Sequence, residues 1–117
     1  MKKIICFDID GVICRTKKNF YSRSVPNKKL ITYINSLYEK GYFIKIFTAR
    51  YMGRFSEDRE KVKSYGLKKI QLQLKKWKLK YNELIVGKPS YDIFIDDKNL
   101  GHPKNIIKIM NKILKNE

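Results

Sequence analysis

The sequence predicts an α/β fold in which helices pack against a central parallel sheet. Short apolar runs alternate with longer segments of helical periodicity, which is typical of βαβ units. Each apolar run leads into polar residues. Because βαβ connections are right-handed and bring parallel strands together, we expect one sheet whose carboxyl strand ends meet at one edge.

The composition is that of a single globular domain. The chain has 117 residues, of which 43% are hydrophobic, so we expect one domain over residues 1–117. Cys6 and Cys14 lack the spacing of a zinc site or a disulfide framework, which favours a reducing, cytoplasmic location. No apolar run approaches the length of a membrane span, so no membrane partner is expected.

The net charge is strongly positive. The chain has 27 basic and 11 acidic residues, which give a formal net charge of +16. Such a charge attracts phosphorylated substrates or nucleic acid, but lysines spread over a solvated surface explain it as well. Aromatic and basic residues do not alternate as in a base-stacking surface, so nucleic acid is the less favoured partner.

The first strand ends in two carboxylates. Residues 4–7 are apolar enough to be buried on both faces of a sheet, with Cys6 among them. Asp8 and Asp10 follow, and then Gly11, which allows a sharp turn. Ligands of open α/β sheets bind at the carboxyl ends of strands, so the stretch predicts a cation and phosphate site. Acids that merely cap a turn are the alternative.

The segment after this site predicts a loop and then a helix. Residues 13–24 are polar and basic without a clear period, so we expect a loop or small hairpin near the strand end. Pro26 is favoured at a first helical position, and apolar residues at three- and four-residue spacing continue towards Gly41, which ends the helix. The second strand covers residues 42–47.

The second half of the chain repeats the alternation of helices and strands. Gly66 is expected to punctuate a short helix, and the lysine-rich segment after it has an ambiguous period, although its length favours a helix. The predicted elements are a short helix at 56–64, a helical segment at 69–78, strands at 84–86 and 93–95, and a last helix at 103–116 that His102 precedes.

Each predicted strand delivers polar groups at its carboxyl end. In a parallel sheet these ends lie at one edge, so we expect the side chains to converge. Carboxylates suit Mg²⁺, which prefers oxygen ligands, while a lysine and a hydroxyl suit a phosphoryl group. One carboxylate is then free to act as a nucleophile. The converging residues are Asp8, Asp10, Thr48, Lys88, Asp96 and Asp97.

The runs FDIDGV, IFTAR, GKP and FIDD, in this order, resemble the four signature motifs of the haloacid dehalogenase (HAD) superfamily of phosphatases. The ending VGKPSYDIFIDDK is similar to a group of short bacterial phosphatases linked to capsule polysaccharide biosynthesis. The resemblance covers residues 3–98 and implies a Rossmann-like three-layer α/β sandwich with a central parallel sheet. The gaps between motifs leave no room for the cap domain of many members, so a capless enzyme is expected.

The resemblance implies a phosphomonoesterase that forms an aspartyl-phosphate intermediate on a small phosphorylated metabolite, such as a sugar phosphate or a capsule precursor. Asp8 would be the nucleophile and Asp10 the general acid and base, while Thr48 and Lys88 would hold phosphoryl oxygens. A phosphatase acting on nucleotides or polynucleotides, and a basic nucleic-acid-binding protein, are the alternatives.

The resemblance also implies Mg²⁺ as the cofactor. The metal would be bound by Asp8, by the backbone carbonyl of Asp10 and by the pair Asp96 and Asp97. Of that pair, Asp97 is the favoured direct ligand, with Asp96 close by or acting through water.

The residues that contact substrate are expected around these motifs. Arg50 either contacts a substrate anion or is a solvated loop arginine, and Gly11 is a second candidate for substrate contact. Specificity is expected from the segment at 13–24 and from residues 50–54. Because capless relatives take larger substrates or cover the site with a neighbouring subunit, a homo-oligomer is compatible with the sequence.

Overall fold

The computed structural model describes residues 2–101 and 105–115, and these form an α/β fold around a central parallel sheet. The α/β class and the parallel sheet predicted from the sequence are therefore confirmed. In chain order the elements are β1 (Ile4–Phe7), β2 (Cys14–Arg15), a short 3-10 helix (Tyr21–Arg23), β3 (Val25–Pro26), α1 (Lys28–Glu39), β4 (Phe43–Thr48), α2 (Arg59–Lys76), β5 (Glu83–Val86) and α3 (Ile106–Leu114).

The central sheet has the strand order β1-β4-β5, with both pairings parallel. Phe7 lies opposite Ile46, and Thr48 lies opposite Val86, so the three carboxyl ends reach the same edge. Both connections cross in the same direction, and right-handed crossovers therefore place α1 and α2 on one face. The gaps that could hold a cap domain contain only the β2–β3 hairpin with its short 3-10 helix, and α2 with its flanking loops.

The hydrophobic core lies between this face and the two helices. Ile44 and Ile46 of β4 are fully buried, and they pack in one cluster with apolar residues of α1 and α2. Complete burial of one such side chain contributes about 1.5–3 kcal/mol. The helical members of the cluster are Ile31, Ile34, Leu37, Ile70 and Leu74.

The opposite face of the sheet is open in the described residues. Ile4 is 59% exposed and Phe43 is 36% exposed, and Cys6 is exposed as well. The expectation that the first strand is buried on both faces is therefore wrong. The strand is exposed on one face because right-handed crossovers place α1 and α2, which pack against the sheet, on the other face.

The small hairpin predicted near the first strand end is confirmed, but Pro26 does not open the first helix. Pro26 instead pairs with Cys14 in the antiparallel β2–β3 ladder. The helix begins at Lys28, after Asn27, whose side-chain oxygen accepts a hydrogen bond from the Leu30 N–H at 3.1 Å. An asparagine cap satisfies an N–H that would otherwise lack a partner, so it fixes the helix start.

One continuous helix, α2, replaces the predicted short helix and the ambiguous segment after it. The predicted break at Gly66 is wrong because this glycine serves packing within the helix. Gly66 is buried, and an added Cβ would lie 2.3 Å from the ring of Tyr51. The missing side chain therefore allows an aromatic ring to lie directly against the helix.

The predicted fourth strand does not form. Ile93, Phe94 and Ile95 have no strand pairing and are exposed. Together with the apolar side of α3 they line a small pocket, so their apolar surface faces that helix and not a neighbouring strand. His102 and Pro103, which were predicted at the start of the last helix, lie outside the described residues. No helix of the described chain is long and apolar enough to cross a membrane.

Candidate active site

A pocket of about 590 Å³ opens among the polar residues that follow the parallel strands. Its lining includes Asp8 and Asp10 after β1, Arg50 and Arg54 after β4, and Lys88 after β5. Ligand pockets of proteins are commonly about 300–1,000 Å³, so the pocket has room for a small metabolite. Of the six residues predicted to converge at the strand ends, Asp8, Asp10 and Lys88 line this pocket.

Asp8 and Lys88 meet in this pocket. Lys88 Nζ donates to Asp8 Oδ2 at 3.2 Å, and the Ile9 backbone N–H donates to Asp8 Oδ1 at 2.7 Å. Burial lowers the pKa of Lys88, but the Tyr91 side chain and the charge of Asp8 raise it by more, so the pKa lies above its ordinary value of 10.5. The lysine is therefore cationic at neutral pH and can face a phosphoryl group.

The turn that carries Lys88 is held by the segment leading into α2. Arg59 Nε donates to the Gly87 carbonyl at 3.0 Å, while Glu57 accepts from the N–H of Ser90 at 2.9 Å and from its hydroxyl at 3.2 Å. Gly87 has φ +88°, and an added Cβ would lie 3.0 Å from Arg59. A glycine is required there, because other residues are strained at this φ.

Asp10 is held by Arg50 in a forked ion pair. Arg50 Nε donates to Asp10 Oδ2 at 2.9 Å, and Arg50 Nη2 donates to Oδ1 at 2.9 Å. Arg50 is only 2% exposed. Burial lowers its pKa, but the hydrogen bonds and charge of Asp10 raise the pKa by more. Because Arg50 is buried, the alternative that it is a solvated loop arginine is wrong. It does border the pocket.

A wider network fixes this ion pair. Arg50 Nη1 donates to Gln73 Oε1 at 2.5 Å, and Gln73 Nε2 donates to the Tyr21 carbonyl at 2.7 Å. The guanidinium carbon of Arg50 lies 4.7 Å from the centre of the Tyr21 ring, and Thr16 Oγ1 donates to Asp10 Oδ1 at 2.5 Å. The network joins the end of β1, the hairpin and α2.

Thr48 ends β4 as predicted, but it does not line the pocket. Its side chain is fully buried, its Oγ1 accepts from the Arg50 N–H at 3.1 Å, and its carbonyl accepts from the Lys88 N–H at 3.2 Å. Gly11 adopts φ +85° in a turn, donates to the Cys14 carbonyl at 2.8 Å and does not line the pocket either. In this structure both residues shape the backbone beside the site.

Asp96 and Asp97 are not brought to the pocket, so the predicted convergence of all six residues is wrong. Because residues 93–95 are not a strand, no strand end delivers these acids to the sheet edge. Asp96 Oδ1 instead accepts from the Lys98 N–H at 3.1 Å in an exposed turn. That hydrogen bond and one from Asp97 lower the pKa of Asp96. Asp96 therefore caps a turn, as aspartate side chains commonly do in loops.

The donors at the pocket suit Mg²⁺ only in part. Among the described residues, no group of three or more Asp, Glu, His or Cys side chains is placed to hold a metal. Mg²⁺ is usually bound through one or two carboxylates, with waters and a substrate phosphate completing its shell, which Asp8 and Asp10 can satisfy. Both oxygens of Asp10 accept from Arg50, so Asp8 is the better-placed donor.

Several residues of the pocket were not singled out by the sequence pattern. Tyr51 directly follows the second motif and Tyr91 follows the third, so the strand-end rule could have identified both. Tyr21, which lines the pocket, and Gln73, which accepts a hydrogen bond from Arg50, carry no such signal. They come from the hairpin and from a helix face, which meet only in the folded chain.

Neither a protein-family model nor a curated protein matches the sequence. Among solved structures, the chain is similar to a structural-genomics target from Vibrio cholerae known from a crystal structure. The two share 27% sequence identity with a TM-score of 0.77, and the similarity covers 100% of both chains. This similarity supports the α/β architecture over the length of the chain.

Proposed function

We propose that the protein is a phosphomonoesterase in which Asp8 is the nucleophile. The observation that carries the proposal is the contact between Asp8 and Lys88 at 3.2 Å in a pocket beside the strand ends. A carboxylate beside a fixed cation is suited to attack a phosphoryl group, because the lysine screens the negative charges of the group and its attacker. The motif resemblance to HAD phosphatases agrees with this chemistry.

In the first half of the reaction, an Asp8 carboxylate oxygen attacks phosphorus. A bond forms between this oxygen and phosphorus, and the bond between phosphorus and the ester oxygen breaks. The leaving oxygen takes a proton from Asp10, which enters this step in its acid form with the Arg50 fork opened. The forked hydrogen bonds that Arg50 makes in this structure then form again on the Asp10 carboxylate that remains. Lys88 offsets the charge on the transferring group.

In the second half, water attacks the phosphorus of the aspartyl phosphate. The Asp10 carboxylate takes a proton from this water, and the bond between Asp8 and phosphorus breaks. Inorganic phosphate leaves, Asp8 is again a carboxylate, and Asp10 again holds its proton. The two steps therefore return every group of the site to its starting state.

Mg²⁺ is part of the proposal. Asp8 and the backbone carbonyl of Asp10 would hold the ion, which when bound supplies positive charge beside the phosphoryl oxygens. The substrate we propose is a small phosphorylated metabolite, such as a sugar phosphate or a polysaccharide precursor. We also propose a cytoplasmic location, since Cys6 and Cys14 are both free thiols.

Phosphate release from a panel of sugar phosphates, nucleotides and an aryl phosphate tests the proposal. We expect release by the wild type in Mg²⁺ and a loss of more than about 1,000-fold in Asp8→Asn, because a nucleophile is removed. Asp92→Asn is the matched control, since Asp92 is an exposed acid that does not line the pocket. Undiminished release in Asp8→Asn contradicts the mechanism, whereas release that survives a chelator contradicts only the role of Mg²⁺.

A further inference from the structure

We propose that Arg54 binds a second anionic group of the substrate. The preferred substrate is then a phosphate monoester that also carries a carboxylate or a second phosphate. The inference rests on the proposed function for the phosphoryl end, and it concerns a different residue of the same pocket.

The charges of the pocket single out Arg54. Lys88 has Asp8 as its partner at 3.2 Å, and Arg50 has Asp10 at 2.9 Å. Arg54 lines the same pocket, but none of the ion pairs of the described residues includes it. It is therefore a pocket cation whose charge the described carboxylates do not balance.

The acid nearest to Arg54 in the sequence is already engaged. Glu57 turns both of its carboxylate oxygens towards Ser90, which donates its N–H at 2.9 Å and its hydroxyl at 3.2 Å. These bonds hold the turn that follows β5. Glu57 therefore serves the backbone of the pocket and does not neutralise the arginine.

Aromatic side chains hold Arg54 in place. Its Nη1 donates to the Tyr65 hydroxyl at 2.5 Å, and its guanidinium carbon lies 4.9 Å from the centre of the Tyr65 ring and 5.8 Å from that of Tyr51. The two rings meet edge to face at 5.1 Å. Cation–π contacts fix a guanidinium without neutralising its charge. The remaining N–H groups can form the forked hydrogen bonds that match a carboxylate or a phosphate.

The position of Tyr51 is itself set by the fold. Tyr51 has φ +69°, and its ring lies where a Cβ on Gly66 would be. It also packs edge to face on Tyr21 at 5.1 Å. The platform beneath Arg54 is thus fixed from two sides before a ligand arrives, which lowers the entropic cost of binding.

Calorimetric titration with phosphonates tests the inference without requiring turnover, because their phosphorus–carbon bond is not hydrolysed. The probes are benzylphosphonate, 4-carboxybenzylphosphonate and 1,4-xylylenediphosphonate, and the last two distinguish a carboxylate from a second phosphate group. The proteins are the wild type, Arg54→Gln and Arg23→Gln. Arg23 is the matched control, since it is exposed, stacks on Phe20 at 5.6 Å and does not line the pocket.

We expect the wild type to bind at least one doubly anionic probe about tenfold more tightly than benzylphosphonate, which corresponds to about 1.4 kcal/mol. In Arg54→Gln this ratio falls to about one, with little change in the affinity for benzylphosphonate, and Arg23→Gln keeps the wild-type ratio. Equal affinities in the wild type, a preference that survives Arg54→Gln, or no binding of any probe would overturn the inference.

The same data separate this inference from the proposed function. A preference lost in Arg54→Gln, combined with no hydrolysis of any ester, supports the anion site and contradicts the phosphatase. Hydrolysis that depends on Asp8, combined with equal affinities for the three phosphonates, supports the phosphatase and contradicts the anion site.

Discussion

Arg50 is the side chain on which the geometry of the site depends most. It is almost fully buried, forks onto Asp10, donates to Gln73 and lies over the Tyr21 ring. A buried ion pair contributes little net stability, but removing one partner leaves an uncompensated charge. Arg50 is therefore a positioning residue whose loss affects both folding and Asp10.

Replacing Arg50 with Gln should lower the free energy of unfolding by about 2–4 kcal/mol, because the partner Asp10 loses its forked donor. Arg50→Lys should recover only part of this loss, since an ammonium cannot reproduce the fork. Urea unfolding measures both changes, with Arg23→Gln as the surface control. A loss below about 0.5 kcal/mol, as for an ordinary surface substitution, would contradict this role.

The Lys88 ion pair predicts a pH dependence of stability. The folded-state pKa of Lys88 is raised above 10.5, so its protonated form stabilises the fold fully below that pH. The contribution is lost as the pH rises through the raised value. Unfolding free energies measured at increasing pH should therefore show the wild type losing stability relative to Lys88→Met only above about pH 10.5. A constant difference up to the alkaline limit of folding would contradict the shift.

The sequence pattern located some site residues but not their roles. Asp8, Asp10 and Lys88 could be predicted because each lies within three residues of a strand end, and strand ends share one edge. Arg50 was identified as a candidate, but its burial depends on Gln73, which approaches it from a helix. Contacts between elements distant in sequence leave no local pattern, so the network around Arg50 could not be predicted.

At the level of elements, α2 joins the core to the pocket. Its buried residues pack against the sheet. Arg59 donates a hydrogen bond to the Gly87 carbonyl in the turn before Lys88, and the Tyr51 ring packs directly against Gly66. A glycine inside a helix normally weakens it by about 1 kcal/mol relative to alanine. Its presence here is explained by the close approach of the ring.

Gly66→Ala should therefore destabilise the protein by about 1 kcal/mol, in spite of the better helix propensity of alanine. The added Cβ would meet the Tyr51 ring at 2.3 Å, and overpacking typically costs about 1–3 kcal/mol. Thermal unfolding provides the measurement. Lys63→Ala, on an exposed position of the same helix, is the control for propensity alone. A raised unfolding temperature in Gly66→Ala would show that the ring moves away without cost.

The elements with a clear period were predictable, and those decided by tertiary contacts were not. α1 and β4 follow their apolar spacing closely, and only their ends differ from the prediction. The run at 93–95 is as apolar as a strand, but a short apolar run does not specify its partner. Here the run lines a small pocket together with apolar residues of α3 and pairs with no strand.

For the whole molecule, the open face of the sheet is the feature that the sequence did not indicate. Cys6 lies on this face and is exposed, while Cys14 is buried beside Asp10. Burial raises the pKa of the Cys14 thiol, and partial burial also raises the pKa of the more exposed Cys6 thiol. Access to solvent, and not ionisation, therefore distinguishes the two cysteines.

Alkylation of the native protein at mildly alkaline pH should therefore modify Cys6 well before Cys14. Peptide mass spectrometry over a time course measures both rates, and labelling in urea is the control in which they become similar. Equal protection of the two cysteines in the native protein would contradict an open sheet face.

The most direct test of Asp8 as the nucleophile is mass spectrometry of the protein quenched in acid during turnover of its best phosphate ester. We predict that the peptide containing Asp8 gains the mass of one phosphoryl group, and that Asp8→Asn gains none and releases no phosphate. A phosphoryl group on a different residue, or phosphate release by Asp8→Asn at the wild-type rate, would contradict the proposed function.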